Sequence, residues 1–340
     1  MQTNNLVDNP RLEWIDLIRA LGAFLVVLAH VQYSGNGSGL IQIYYYALTR
    51  VAVPLFFMAS GYLLLSKNEP YLDFFKKRVL KVFIPFVVWS VIYLVWKGEA
   101  LDKPILTILK TYTLGIIRGP RENHLWFFYE LFGLYLFTPI LRVFVEKASL
   151  TDLSYFCGIW FLLVPFANLV QEFTPIKIGF EYQFLGGYIG YFIFGYLAGK
   201  LFIAQLQKAG AGMVFFISLI ATIMGMYLTR VYGLKTQYFE DYLSVNVVLM
   251  SAALFVILVE SQVSNFAYRI IAPLSRASFG IYLVHVIIMV EIFSKTSLSI
   301  LSMIGSAIYM IPLLGLLGYL ISFILIFIMQ KIPILKFIVP

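Results

Sequence analysis

Apolar runs of about twenty residues recur along this chain, and that length decides what it can become. A helix rises about 1.5 Å per residue, so about twenty apolar residues match the hydrocarbon core of a bilayer. Ten such runs are read, at roughly 12–33, 43–65, 82–97, 125–145, 153–171, 185–202, 213–230, 244–261, 277–293 and 305–329. Only 12% of residues are charged and 61% are hydrophobic, whereas a soluble chain carries about 25% charge. The alternating pattern of a membrane β-barrel is absent. The expectation is an all-α polytopic membrane protein of about ten transmembrane helices, forming one membrane-embedded domain over 1–340.

The stretch 104–117 is apolar but too short to span with ease, and reads as a re-entrant or interfacial segment, with an eleventh span as the alternative. The third run, 82–97, is short and can extend back through the basic residues before it. No soluble domain, low-complexity tract or internal repeat is detected, and the polar N-terminal dozen residues do not resemble a cleavable leader. Lys67, Lys76, Lys77, Arg78 and Lys81 cluster after the second run. Lys147, Lys200, Lys208, Arg269, Arg276, Lys331 and Lys336 fall on the same side of a ten-span protein, while GNGSG at 35–39 on the other side is uncharged. The positive-inside rule then places both termini in the cytoplasm. The long loop 97–124 mixes both signs. The net charge of +8 is spread over these loops, which points to topology and the bilayer rather than to nucleic acid. A single Cys157 excludes an intrachain disulfide and a cysteine metal cluster, and the three scattered histidines form no local metal motif.

Residues 11–33 carry Asp16, Arg19 and His30 inside an apolar run. Ionisable groups are costly in a bilayer and usually face a protein interior or a wet cavity. Eleven steps at about 100° bring Arg19 and His30 to one helix face, about 16 Å apart along the axis. Asp16 lies three residues before Arg19, within reach of an ion pair.

These residues and several later segments resemble the acyltransferase-3 family of integral membrane acyltransferases. IDLIRALGAFLVVLAH at 15–30 has an Arg and a His with ten residues between them, the spacing that marks the family's first helix. RVAVPLFFMASGYLL at 50–64 is similar to the second helix, and KKRVLKVFIPFVVWSVIY at 76–93 to the basic motif entering the third. HLWFFYELFGLYLFTPILR at 124–142 and FGIYLVH at 279–285 resemble two later signatures, in the family's order. Where the family commonly has two Arg three apart, this chain has Arg78 and Lys81, a point charge in place of one planar fork. Glu130 replaces what is more often a small or apolar residue.

The resemblance implies O-acyl transfer in the bacterial cytoplasmic membrane, from acetyl-CoA to a hydroxyl of a cell-surface carbohydrate or its lipid-linked precursor. His30 is then the general base, with covalent transfer through its imidazole as the alternative. Arg19 contacts the donor or an oxyanion, and Asp16 orients it or simply pairs with it. Arg78, Lys81 and Lys77, read as a cytoplasmic helix start, would bind the phosphates of CoA; the plainer reading is a positive-inside anchor. His124 and Trp126 begin the fourth run on the outer side, as acceptor-side candidates or as an interfacial belt. Glu130, with Arg50 as its possible partner, completes the acceptor-side set. His285, one turn after Tyr282, reads as structural. No metal is expected. The rival class is a transporter or exporter of a small molecule or glycan intermediate, since intramembrane charges also mark solute pathways.

Overall fold

The structure, a computed structural model, describes residues 12–31, 39–98, 104–179, 187–200, 205–294 and 306–340. Every regular element among them is helical. We number eleven helical units: α1 Glu13–Ala29, α2 Gly39–Leu65, α3 Tyr71–Trp96, α4 Ile105–Arg118, α5 Asn123–Lys147, α6 Leu150–Phe173, α7 Ile189–Lys200, α8 Gln205–Val231, α9 Tyr238–Leu258, α10 Asn265–Ile292 and α11 Ala307–Lys331. In a bilayer each backbone N–H and C=O must bond within its own segment, and helices meet that demand.

Eight of the described helices are long and apolar enough to cross a membrane. Two further helices stand at the first and sixth runs: α1, with 17 residues, and α7, with 12 described residues. The segment 104–117 folds as α4, whose 14 residues fall short of a span. The basic motif differs from its sequence reading. The third helix starts at Tyr71, so Lys77, Arg78 and Lys81 lie within it and the helix N-terminus contributes nothing to them. The GNGSG stretch, the polar N-terminus and parts of the connections 97–124 and 172–184 lie outside the described residues.

The core is organised around α1, which packs on α10, α11 and the second half of α2. A second contact joins α2 to α7 with almost no side chain between them. A Cβ added at Gly61 would sit 1.8 Å from the Phe192 carbonyl oxygen, and one at Gly195 would sit 2.0 Å from that of Met58. Small residues at such a crossing let two membrane helices meet backbone to backbone.

Prolines shape two places that matter below. Pro54 has no N–H to offer the carbonyl of Arg50, and α2 is interrupted by a turn at 50–51. Pro85 likewise leaves the Lys81 carbonyl without its usual donor. The chain answers with a π-helical turn over Val79–Phe83, in which Ile84 N–H donates to Val79 O, five residues back.

Candidate functional site

The three histidines of the chain converge. His30 caps the end of α1, His124 opens α5 in a 3₁₀ turn, and His285 lies in α10. Ring centres are 4.6 Å apart for His30 and His285, 5.1 Å for His124 and His285, and 6.3 Å for His30 and His124. His285 is fully buried and His124 is 5% exposed. Around His124 stand Tyr93, Tyr282 and His285. Sequence reading ranked His285 as structural, and the only available signal was its own motif, FGIYLVH. Nothing in the chain order brings residues 30, 124 and 285 together; the packing of α1 on α10 joins 30 to 285, and the Tyr282 hydroxyl bonds the carbonyl of 124 beside them.

Hydrogen bonding sets the tautomers. His30 Nδ1 lies 2.8 Å from Val26 O and His285 Nδ1 lies 2.7 Å from Tyr282 O. Carbonyl oxygens only accept, so both Nδ1 atoms carry the proton in the neutral rings. His285 Nε2 then holds a lone pair facing His30 Nδ1 at 3.3 Å. His30 Nε2 is left as the basic nitrogen of the pair. An imidazolium formed at His30 would be held by two acceptors, Val26 O and His285 Nε2.

A cavity of about 410 Å³ opens on the other side of Tyr282. Arg19, Arg78 and Lys81 line it together with Tyr135, Phe127, Phe128, Ser60 and Ser278. Lys81 lies within the π turn Val79–Phe83 and Arg78 directly precedes it. Tyr282 belongs to both regions: it lines the cavity, its hydroxyl donates to His124 O and its carbonyl accepts from His285. The unbroken helix Glu13–Ala29 keeps Arg19 in the cavity and His30 in the cluster, so the two serve different parts of one path.

Other candidates are placed differently. Asp16 reaches beyond its own helix: its carboxylate accepts from Tyr268 and Ser275 at 2.9 and 2.6 Å, tying α1 to α10. Lys77 does not line the cavity. It pairs with Glu69 at 2.6 Å, which also meets Arg142 at 3.0 Å and Arg78 at 3.7 Å. Burial alone would raise the Glu69 carboxyl, but hydrogen bonds from Lys77 and Arg142, with their charges, outweigh it and hold the group below the ordinary carboxylate range. Neither Glu69 nor Arg142 stood out in the sequence.

Glu130 and Arg50 form no pair. Glu130 is exposed, with its carboxylate near Gly187. The Arg50 guanidinium lies over the rings of Tyr46 and Tyr242, at 4.1 and 4.8 Å. Trp126 packs on Tyr242 and Tyr188, both at 5.4 Å. Among the described residues no three His, Cys, Asp or Glu side chains are arranged to hold a metal ion.

Comparison with known families shows one match: the model described as an acyltransferase domain, of the acyltransferase-3 type, covers residues 12–330. No curated protein and no solved structure matches the chain.

Proposed function

From the premise that this chain belongs to the acyltransferase-3 family of membrane acyltransferases, we propose that it moves an acetyl group from acetyl-CoA to a carbohydrate hydroxyl. The carbohydrate is a cell-surface glycan or its lipid-linked precursor, the enzyme sits in the bacterial cytoplasmic membrane with both termini inside, and His30 is the general base. The observation that supports this most is the meeting of the histidine cluster with a cation-lined cavity at Tyr282.

The cavity residues suit the donor. Arg19, Arg78 and Lys81 offer charge-assisted bonds to phosphates, and the Phe127, Phe128 and Tyr135 walls suit an uncharged arm. The thioester supplies the acetyl group. Toward the cluster, His30 Nε2 takes the proton of the acceptor hydroxyl as its oxygen attacks the thioester carbon. Breaking the carbon–sulfur bond releases the thiolate, and the proton on His30 passes to it. One ester forms, one thioester is lost and one thiol leaves. His285 holds the His30 ring and shares its charge through the Nδ1–H, the work a third group does for any base that must be oriented. Arg19, about 16 Å from His30 along α1, holds the donor and takes no part at the reacting bond.

Purified protein incubated with radiolabelled acetyl-CoA and a panel of glycans tests this. General-base removal typically costs about 10²–10⁴-fold, so His30→Ala should lose transfer on that scale. Wild-type transfer by His30→Ala overturns the mechanism, and a folded protein that fails to bind CoA favours transport.

A further inference from the structure

Arg50 is a buried cation with no counter-ion among the described residues. Its residue is 8% exposed, and its Nε is buried with no hydrogen-bond partner. No carboxylate among the described residues lies within 4.0 Å of it. None of the described acidic groups on the surrounding elements pairs with it. Glu240 pairs with Arg230 at 2.7 Å, Asp241 Oδ1 accepts from Leu243 N–H at 2.6 Å, and Glu130 stands near Gly187.

The contrast with Arg230 is informative. Both guanidiniums lie over the ring of Tyr46, Arg50 at 4.1 Å and Arg230 at 4.7 Å. Arg230 is partly exposed and has its carboxylate; Arg50 is buried and has none among the described residues. The faces of Tyr46 and Tyr242 offset part of the charge, but they accept none of the hydrogen bonds that the guanidinium fork can donate. A buried charge left in this state is costly, and proteins retain such groups where a ligand completes them.

The surroundings fit a sugar. The turn at Pro54 sets Arg50 at the interruption of α2. Tyr242 bridges Arg50 to Trp126, whose ring continues to Tyr188. Trp126 is two residues from His124 in the histidine cluster, and the Arg50 charge acts on His30. A fixed cation thus sits beside flat aromatic faces that lead to the cluster, and Arg50 is absent from the lining of the donor cavity.

We propose that Arg50 anchors an oxyanion of the acceptor, so that the substrate class is an anionic glycan. The anion is the carboxylate of an acidic sugar or the phosphate of a sugar-phosphate linkage, bound by the guanidinium fork while aromatic faces flank the ring. This rests on the acetyl-transfer reading for the word acceptor; the anion site itself does not.

Full-length protein in neutral detergent, saturated with CoA to occupy Arg19, Arg78 and Lys81, is titrated with D-glucuronate, inorganic phosphate and D-glucose, read by thermal shift. At least one anion should bind at least tenfold tighter than glucose. Arg50→Gln should weaken that binding at least tenfold, and Arg50→Lys should retain part of it. Response to glucuronate alone assigns a carboxylate, and response to phosphate alone a phosphate. The unliganded melting temperature of Arg50→Gln should not fall, because the substitution removes an uncompensated charge. Absence of anion binding by the wild type, or undiminished binding by Arg50→Gln, overturns the proposal. If CoA itself does not bind, the acetyl-transfer reading fails, and the same titration without CoA, with Arg78→Gln as control, still decides Arg50.

Discussion

His285 Nε2 lies 3.3 Å from His30 Nδ1, joining α10 to the end of α1 across 255 positions of sequence. Because each ring also gives its Nδ1 proton to a main-chain carbonyl, the pair has one orientation in which His30 Nε2 is the free base. His285→Ala should therefore lower kcat by about ten- to a hundredfold, less than removal of a general base itself, with little change in the KM for acetyl-CoA. The pH–rate profile should move as well, since the imidazolium at His30 loses an acceptor. A role in packing alone would lower folded yield without moving that profile.

Cation placement separates neighbours in the basic motif. Arg78 and Lys81 line the cavity whereas Lys77 reaches Glu69. Arg78→Gln and Lys81→Gln should each raise the CoA dissociation constant about tenfold, equal to about 1.4 kcal/mol. Lys77→Gln should change it less than about twofold, or about 0.4 kcal/mol. Binding of labelled CoA to the purified variants reads both.

Glu69 predicts an acid limb in stability. Its carboxyl is held below the ordinary carboxylate range in the folded protein, so the unfolded chain takes up its proton first as pH falls. The contribution is fully present above about pH 4.3, the unperturbed value, and is lost as pH drops through the folded value. Glu69→Gln should flatten this part of the profile of melting temperature against pH. An unchanged acid limb would show that Glu69 carries no linkage.

The contact between α2 and α7 tolerates no added atom. Gly61→Ala and Gly195→Ala each place a methyl group about 2 Å or less from a carbonyl oxygen of the other helix. Each should destabilise by about 3 kcal/mol or more and cut the monodisperse fraction in detergent. Gly133→Ala, where nothing lies within 4 Å, is the control and should behave as wild type.

Much of this protein was legible before its structure. Apolar runs of membrane length report their own helices, because the bilayer penalises any unbonded backbone. The runs at 43–65, 125–145 and 305–329 each correspond to a described helix. The interruption at Arg50 and the π turn at Val79–Phe83 were not read from the sequence: Pro54 and Pro85 stand four residues on, but Pro139, Pro273 and Pro312 sit inside continuous helices. Local reasoning failed where partners were chosen at a distance. Asp16 was read only from its spacing to Arg19, and its bonds to Tyr268 and Ser275 on α10 carry no local signal. Arg50 and Glu130 seemed natural partners by charge, yet the guanidinium lies on tyrosine rings.

The sequence by itself determined an all-helical membrane protein, the family pairing of Arg19 with His30, and the separation of those two along one helix. The helices follow from hydropathy and the separation from 3.6-residue periodicity, which act between neighbours, while the pairing comes from the resemblance to the family. Only the tertiary structure decided that His124 and His285 join His30, that Lys77 pairs with Glu69 and not the cavity, and that Arg50 is buried with no counter-ion among the described residues. Those outcomes depend on which helix faces pack together, and the packing of α1 on α10 links residues that chain order keeps 255 positions apart.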